Sequence, residues 1–292
     1  MDIRISTPQC FSEIGEKTNQ EDSLFPATGE AMEKQRIFIV CDGMGGHDNG
    51  EVASKCVADT IGEMTSSVPA CTTDEMKRIF EEALTEAYRR LDEMDKNETS
   101  VKTMGTTLVF LAICTDGLLT AHIGDSRIYQ IRKRRGVIFQ TRDHSLVNDL
   151  LASGELDEKS ARHFSQKNVI TRAIQPHQEY PAKATYNVIT DVRKGDVFLL
   201  CSDGVVEKLE NIELVMILLA NGKLSDRMER LKRICQKRDT NDNHSCYAFE
   251  ITYSDQVIPY SSAKTRHTAI TYAMVIMVVA VFCAIAYFIM SN

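Results

Sequence analysis

Two segments of this chain share a construction that restricts the fold more than any other feature. Residues 37–41, IFIVC, and residues 197–201, VFLLC, are apolar at every position. Each runs almost directly into an acid followed by glycine, Asp42-Gly43 in one case and Asp203-Gly204 in the other. A run with no polar face predicts a strand buried on both sides, so each needs a layer above it and a layer below. The acid at its end is then delivered to the edge of the packed body. A third version, TAHIGDSR, sets Asp125 behind Gly124, while Glu21-Asp22 and Asp242 flank further segments. Two packed sheets bring such strand ends to one edge, where carboxylates repel each other unless a cation neutralises them. Oxygen donors without histidine or cysteine suit Mg2+ or Mn2+ better than zinc. A lone Asp-Gly is an ordinary turn; acids recurring at five such places are not. The glycine behind each acid is expected to let a backbone carbonyl turn toward the cation.

Between these strands the periodicity is helical. Residues 50–64 carry Val52, Cys56, Ile61 and Met64 at near-helical spacing. Residues 74–96 carry Met76, Ile79, Phe80, Ala83, Leu84, Ala87, Leu91 and Met94 on one face, with Thr73 as the expected N-cap. Further strands are expected at 106–115, 118–132, 136–141, 183–190 and 246–253, with closely spaced turn signals that favour antiparallel hairpins. Helices are expected at 145–153, 157–165, 211–221 and 225–237. Blocks of strands alternating with pairs of helices predict an α+β fold, two packed antiparallel β-sheets flanked by helices in αββα layers. The basic run Arg132-Lys133-Arg134-Arg135 reads as a solvated hairpin tip, with a phosphopeptide or lipid-headgroup contact as the lesser reading.

The 292 residues, 43% of them hydrophobic, suffice for one domain of about 250 residues with a large core. A formal charge of -7 speaks against a nucleic-acid partner, which wants a basic face. The nine cysteines are scattered without a CxxC pair, several inside apolar runs. That usage fits small buried hydrophobes in a reduced, cytosolic domain. No signal peptide is expected, because the start lacks a basic residue cluster leading into an apolar run. Residues 269–290 contain no charge. As a helix they would span about 30 Å, the hydrocarbon thickness of a bilayer. The expectation is a transmembrane helix over 268–290 behind a polar linker, 254–267. Lys264, Arg266 and His267 precede it, so the positive-inside rule keeps the preceding domain in the cytoplasm, giving a single-pass tail anchor in the cell membrane.

CDGMGGH, MGTTL, GDSR, TRDHSLV and LCSDG occur in that order, followed by Asp242-Asn243. Together they resemble the metal-dependent Ser/Thr protein phosphatases, the type 2C or PPM family, most of all its bacterial branch. The resemblance covers residues 1–253, which it marks as the catalytic domain. It implies hydrolysis of phosphoserine and phosphothreonine on proteins by a water activated between two Mg2+ or Mn2+ ions, with a third ion held more weakly. By the same resemblance, Asp42 is the bridging carboxylate and Gly43 lends its carbonyl oxygen to one ion. Asp203 and Asp242 complete the pair of sites, Glu21 and Asp22 hold water on the ions, and Asp125 and Glu207 match the third position. Paired cations acidify the water and neutralise the phosphate oxygens, so no phosphoenzyme is expected.

The chain departs from the family pattern in places. Glu207 stands where Asp is common, which keeps the charge on a longer arm. Lys17 stands where Arg usually grips the phosphate, giving up the bidentate fork and with it substrate affinity. Met44 replaces a histidine of the animal members, as it does in bacterial ones, and His47 is expected to pack at a helix start. Residues 143–174 resemble the family's flap beside the active site. The expected partners are phosphorylated proteins, substrates of a Ser/Thr kinase at the membrane. A second reading is a catalytically inactive phosphoprotein-binding scaffold on the same fold; loss of a metal acid would mark it, and none of the main acids is missing.

Overall fold

The two apolar runs become inner strands of two different sheets. The structure, a computed structural model, describes residues 1–45, 49–95, 104–161, 164, 166, 169–238 and 241–255. It opens with strands β1 (Ile3–Ile5), β2 (Gln9–Glu13), β3 (Asp22–Phe25) and β4 (Ile37–Met44), then helices α1 (Asn49–Ser66) and α2 (Thr73–Met94). Strands β5 (Gly105–Thr106), β6 (Leu108–Ile113), β7 (Leu118–Ile123), β8 (Arg127–Arg132) and β9 (Gly136–Gln140) follow. Helices α3 (Leu146–Ser153) and α4 (Glu158–Ala161) lead to β10 (Thr185–Ile189) and β11 (Val197–Cys201). Last come α5 (Asp203–Val206), α6 (Asn211–Leu218), α7 (Leu224–Lys237) and β12 (His244–Ser254).

One sheet runs β1-β12-β11-β8-β9, with β2 also on β12; the other runs β10-β7-β6-β4-β3, with β5 also on β4. Every pairing between these strands is antiparallel. Because strand side chains alternate, each apolar run serves two layers. Ile37, Ile39 and Cys41 face α1 and α2, while Phe38 and Val40 face the other sheet. Val197, Leu199 and Cys201 face α6 and α7, while Phe198 and Leu200 meet β4 and its neighbours. At the centre Phe249 stacks on Phe38 at 4.7 Å and on Phe198 at 5.4 Å between ring centroids. Truncating one of these rings to alanine would cost about 3 to 5 kcal/mol. The expected αββα layering is therefore present, and the described residues belong to one compact unit, Met1–Gln256.

Several details differ from the sequence reading. The N-cap of α2 is Thr72, which forms a capping box with Glu75, while Thr73 donates its N–H and hydroxyl to the two oxygens of Asp116 at 2.8 and 3.0 Å. Val52 and Met94, assigned to buried faces, are exposed: Val52 lies on the outer side of α1, whose Gly50, Ala53 and Ser54 are buried, and Met94 is the last residue of α2. The expected strand 118–132 is two strands, turning at Gly124-Asp125-Ser126. Arg132 is not solvated: it forks onto Asp196 and Asp191, which leaves Lys133, Arg134 and Arg135 as the exposed tip. His47 and the span 268–290 lie outside the described residues. Among the described residues no helix is long and apolar enough to cross a membrane.

Candidate metal centre

β4 continues past Cys41 through Asp42 and Gly43, so the acid is still held by sheet hydrogen bonds. Asp22 on β3 is its cross-strand partner. The two threonines of MGTTL fix the backbone of Asp42: its N–H donates to Thr107 Oγ1 at 3.1 Å. Its carbonyl accepts from Thr107 N at 2.9 Å and from Thr106 Oγ1 at 3.0 Å. Thr107 Oγ1 also meets Ser126 Oγ at 2.7 Å, tying this strand to the GDSR turn that carries Asp125. That turn is braced in its own way. His144 N donates to Gly124 O at 2.9 Å, His144 Nδ1 accepts from Gly124 N at 3.1 Å, and Arg127 grips Asp143 through both oxygens. Burial, followed by His122 and Arg172, pushes His144 down to about 4, so its ring is neutral and Nε2–H donates to Thr185 Oγ1.

The remaining acids arrive on the other sheet. Asp203 opens α5, and Ser202 beside it donates to Asp22 Oδ2 at 2.8 Å while accepting from Ser245 N at 3.0 Å. Asn243, next to Asp242, clamps the 14–21 loop. Its Oδ1 accepts from Glu21 N at 2.7 Å, and its Nδ2 donates to Ile14 O at 2.7 Å and Asn19 O at 3.0 Å. The glycines after the acids have a steric cause that the sequence reading did not anticipate. A Cβ on Gly43 would lie 2.2 Å from Gly50 O, and one on Gly204 would lie 2.0 Å from Asn243 O. Both contacts are with backbone, which cannot swing aside.

The electrostatics follow from this gathering. Asp22 is buried, and Asp42, Asp125 and Asp203 keep only one side at the solvent rim. Desolvation, then repulsion from Asp203 and Asp242, raises Asp22 to about 7 despite bonds from Ser245 and Ser202. Desolvation, then Asp203 and Asp143, raises Asp125 to about 7. Asp42 is pushed well up by desolvation and by Asp22, Asp203, Asp125 and Asp242. Asp203 is raised by desolvation and then by Asp242. Oδ1 of Asp22 and Oδ1 of Asp203 are buried without a hydrogen-bond partner. Acids that repel each other, with orphaned oxygens, fit divalent cations. Among the described residues no three His, Cys, Asp or Glu side chains form a ready-made chelate on one point.

All of the predicted site residues reach this rim. Lys17 Nζ lies 2.9 Å from Asp242 Oδ1. Burial would lower its ammonium, but Asp242, with Glu21 and Asp42, holds it above its ordinary value. The Glu21 side chain packs against Gly50. Asp125, Asp203 and Glu207 line one cavity of about 850 Å³, whose other wall is the start of the 143–174 stretch. Glu207 is partly engaged there by Lys208, at 3.0 Å. The sequence reading gave no role to Thr106, Thr107, Ser202 or Ser245. Only the quoted motifs MGTTL and LCSDG hinted at the first three, and nothing marked Ser245.

The profile of the family described as protein phosphatase 2C matches residues 12–243. Over 234 residues the chain is 32% identical to protein phosphatase PhpP of Streptococcus pneumoniae serotype 2, covering 80% of this chain and 92% of that one. Over 202 residues it is 31% identical to the serine/threonine phosphatase stp of Listeria innocua serovar 6a, covering 68% and 78%. The solved serine/threonine phosphatase of S. agalactiae superposes with a TM-score of 0.71 at 26% identity, covering 84% of this chain and 98% of that one. The catalytic domain of PstP, solved with two manganese ions, superposes with a TM-score of 0.67 at 25% identity, covering 86% and 100%. The chain therefore belongs to the protein phosphatase 2C family of serine/threonine protein phosphatases, enzymes that use Mn2+ or Mg2+.

Proposed function

We propose that the chain removes phosphate from phosphoserine and phosphothreonine of proteins at the cytoplasmic face of a membrane, opposing a Ser/Thr kinase there. The observation that carries the catalytic part is the rim of cross-braced, mutually repelling carboxylates with two orphaned Oδ1 atoms. Asp42, Asp203, Asp242 and the Gly43 carbonyl would hold the two principal cations, Asp125 and Glu207 a third, and Glu21 and Asp22 would order the water around them. When bound, the cations supply positive charge for the phosphate oxygens and acidity for the attacking water. Lys17 adds a point charge for one phosphate oxygen while staying paired to Asp242. Thr106, Thr107, Ser126 and Asn243 hold the acids in place against their mutual repulsion. The cysteines that precede the acids do not offer a nucleophile: Cys41 and Cys201 are wholly buried, and burial pushes both thiols far up. Membrane tethering is supported by the uncharged stretch 269–290.

The catalytic reading is tested with residues 1–255 and a phosphothreonine peptide. Hydrolysis should require Mn2+, stop in EDTA, and be lost in Asp42→Ala and Asp203→Ala. Activity that persists without metal, or unchanged turnover in both variants, would falsify it. Tethering is tested separately: the full chain should stay in the membrane fraction through an alkaline carbonate wash, and release by that wash would rule the anchor out.

A further inference from the structure

The end of the domain away from the metal centre is built differently. The acids lie where β11 meets Cys246 and Arg127; at its other end β11 meets Glu250 and Ile131. There, a cavity of about 450 Å³ is enclosed by the β8–β9 hairpin, the 193–196 turn and the α6–α7 connection. Three of its cations are spoken for. Arg132 and Arg193 bind Asp191 and Asp196, and Arg227 bridges Glu250 and the Leu218 carbonyl. Lys133 and Lys194, which also line it, and Arg134 and Arg135 of the adjoining hairpin tip are not. Lys133, Arg134, Arg135 and Lys194 are exposed, and among the described residues none has an acidic partner. On a chain of net charge -7, four unpaired cations at one end form a marked local reversal of sign.

α6 runs from the metal end, where Asn211 bonds Gln140, to this cavity, so that of its exposed apolar residues Met216 is the one a turn from the basic end. α6 turns Leu214, Ile217 and Leu218 inward, yet Ile212 and Met216, four residues apart on its outer face, are 60% and 66% exposed. Leu219, one turn beyond, lines the basic cavity itself. An exposed apolar side chain one turn from a cluster of lysine and arginine suits an anionic lipid surface, whose headgroups take the cations and whose acyl boundary takes the apolar group. A soluble phosphopeptide would use the charges and leave Met216 unexplained. β12 also ends here, at Ser254, so the chain leaves the domain from this end.

We infer that this end of the domain docks on an anionic lipid surface through Lys133, Arg134, Arg135 and Lys194, with Met216 entering the headgroup boundary. Docked this way, the metal centre faces the opposite direction, open to phosphoproteins. The inference deepens the tethered reading and rests on it for its setting, but the surface stands on the described residues alone. The 98% and 100% coverage of the neighbouring solved chains shows that this fold forms without a counterpart to residues 257–292, so residues 1–255 are a usable probe.

The test is co-sedimentation of residues 1–255 with vesicles of phosphatidylglycerol and phosphatidylcholine, against phosphatidylcholine alone. Binding should require phosphatidylglycerol and fall steeply with salt. At roughly five-fold in partition per cation near an anionic surface, the triple change Lys133→Ser, Arg134→Ser, Arg135→Ser should weaken it about 100-fold. Met216→Ser should weaken it several-fold at unchanged salt, which a purely ionic contact would not show. Turnover of a soluble phosphothreonine peptide should be unchanged in both, which certifies folding; if the triple variant does not fold, Lys194→Ser and the salt titration carry the test. Equal binding to both vesicles, no binding, or full binding by the variants overturns the inference. So does displacement by millimolar inorganic phosphate, which would assign the cavity to the free anion. The carbonate wash of the full chain reports the anchor independently, so either reading can fail alone.

Discussion

Chelation should reverse the way stability of this domain depends on pH, and Asp22 provides the measure. Its carboxyl has a folded pKa of about 7 against an ordinary 3.8, because it is buried first and then repelled by Asp203 and Asp242. Between those values the folded state holds a proton that the unfolded chain has released, so stability falls as pH rises through the interval. Integrated from about pH 5 to pH 8, the loss due to this one group is about 2.5 kcal/mol. Asp125, also raised to about 7, adds a similar slope. His144 runs the other way. Pushed down to about 4 from 6.5, it contributes stability above its ordinary value that is lost as pH falls toward the folded one. The wild type therefore mixes opposed slopes at acid pH, and the difference between wild type and Asp22→Asn removes the His144 part and reports the Asp22 carboxyl together with its coupling to Asp42.

The assay is urea unfolding of residues 1–255 in EDTA across that pH range, followed by far-ultraviolet circular dichroism because the chain has no tryptophan. The advantage of wild type over Asp22→Asn should shrink by about 2.5 kcal/mol from pH 5 to pH 8. With saturating Mn2+ the trend should invert, since cations bind the deprotonated carboxylates and stabilise only the folded state. A difference that stays flat in EDTA, or that grows with pH, would refute the idea that these acids are held together against their own charge.

Other outcomes follow from single contacts. Lys17→Arg should lower KM for a phosphopeptide several-fold with little change in kcat, since the guanidinium offers a fork where the ammonium offers a point; an unchanged or raised KM would remove Lys17 from phosphate binding. Gly204→Ala should cost about 3 kcal/mol or more, read as a lower urea midpoint, because its Cβ would meet the Asn243 carbonyl at 2.0 Å. Asn243→Ala releases the hydrogen bonds that clamp the 14–21 loop. Mn2+ affinity by calorimetry should then fall about ten-fold while the circular dichroism spectrum is retained.

The layers were legible because β4 and β11 are apolar on both faces, and only a strand between two packed layers needs that. Asp42 and Asp203 were legible because each sits at the end of such a strand. What escaped the sequence depends on neighbours rather than period. β1, β2 and β3 have three to five residues and no apolar run, yet β3 places Asp22 opposite Asp42. Thr107 matters because its hydroxyl meets both Asp42 N and Ser126, groups distant in sequence that adjoin only after the strands pair. Ser245 is one more polar residue until β12 lies beside β11. The glycines behind the acids carry a second requirement beside the expected one of freeing a carbonyl. Their lack of a side chain admits another backbone, which no single-strand pattern can reveal.

The same geometry decides how substrate can bind at all. A phosphate group approaching this rim meets Asp42, Asp125, Asp203, Asp242, Glu21 and Glu207, while the nearby cations Lys17, Lys208 and Arg127 are already paired to Asp242, Glu207 and Asp143. At contact distances, repulsion between like charges is of the order of 1 kcal/mol per pair in water and larger where solvent is excluded. Without divalent ions the rim therefore repels the very group it is built to cleave. Divalent ions held there would offset that repulsion, and the acids would become a means of holding positive charge at a fixed place. Binding and turnover must then fail together on chelation, because one set of carboxylates sets both. It also follows why the bracing is so extensive. A rim whose natural tendency is to spread needs the threonine lock on Asp42, the Asn243 clamp and the Arg127–Asp143 fork to keep its shape while the cations exchange.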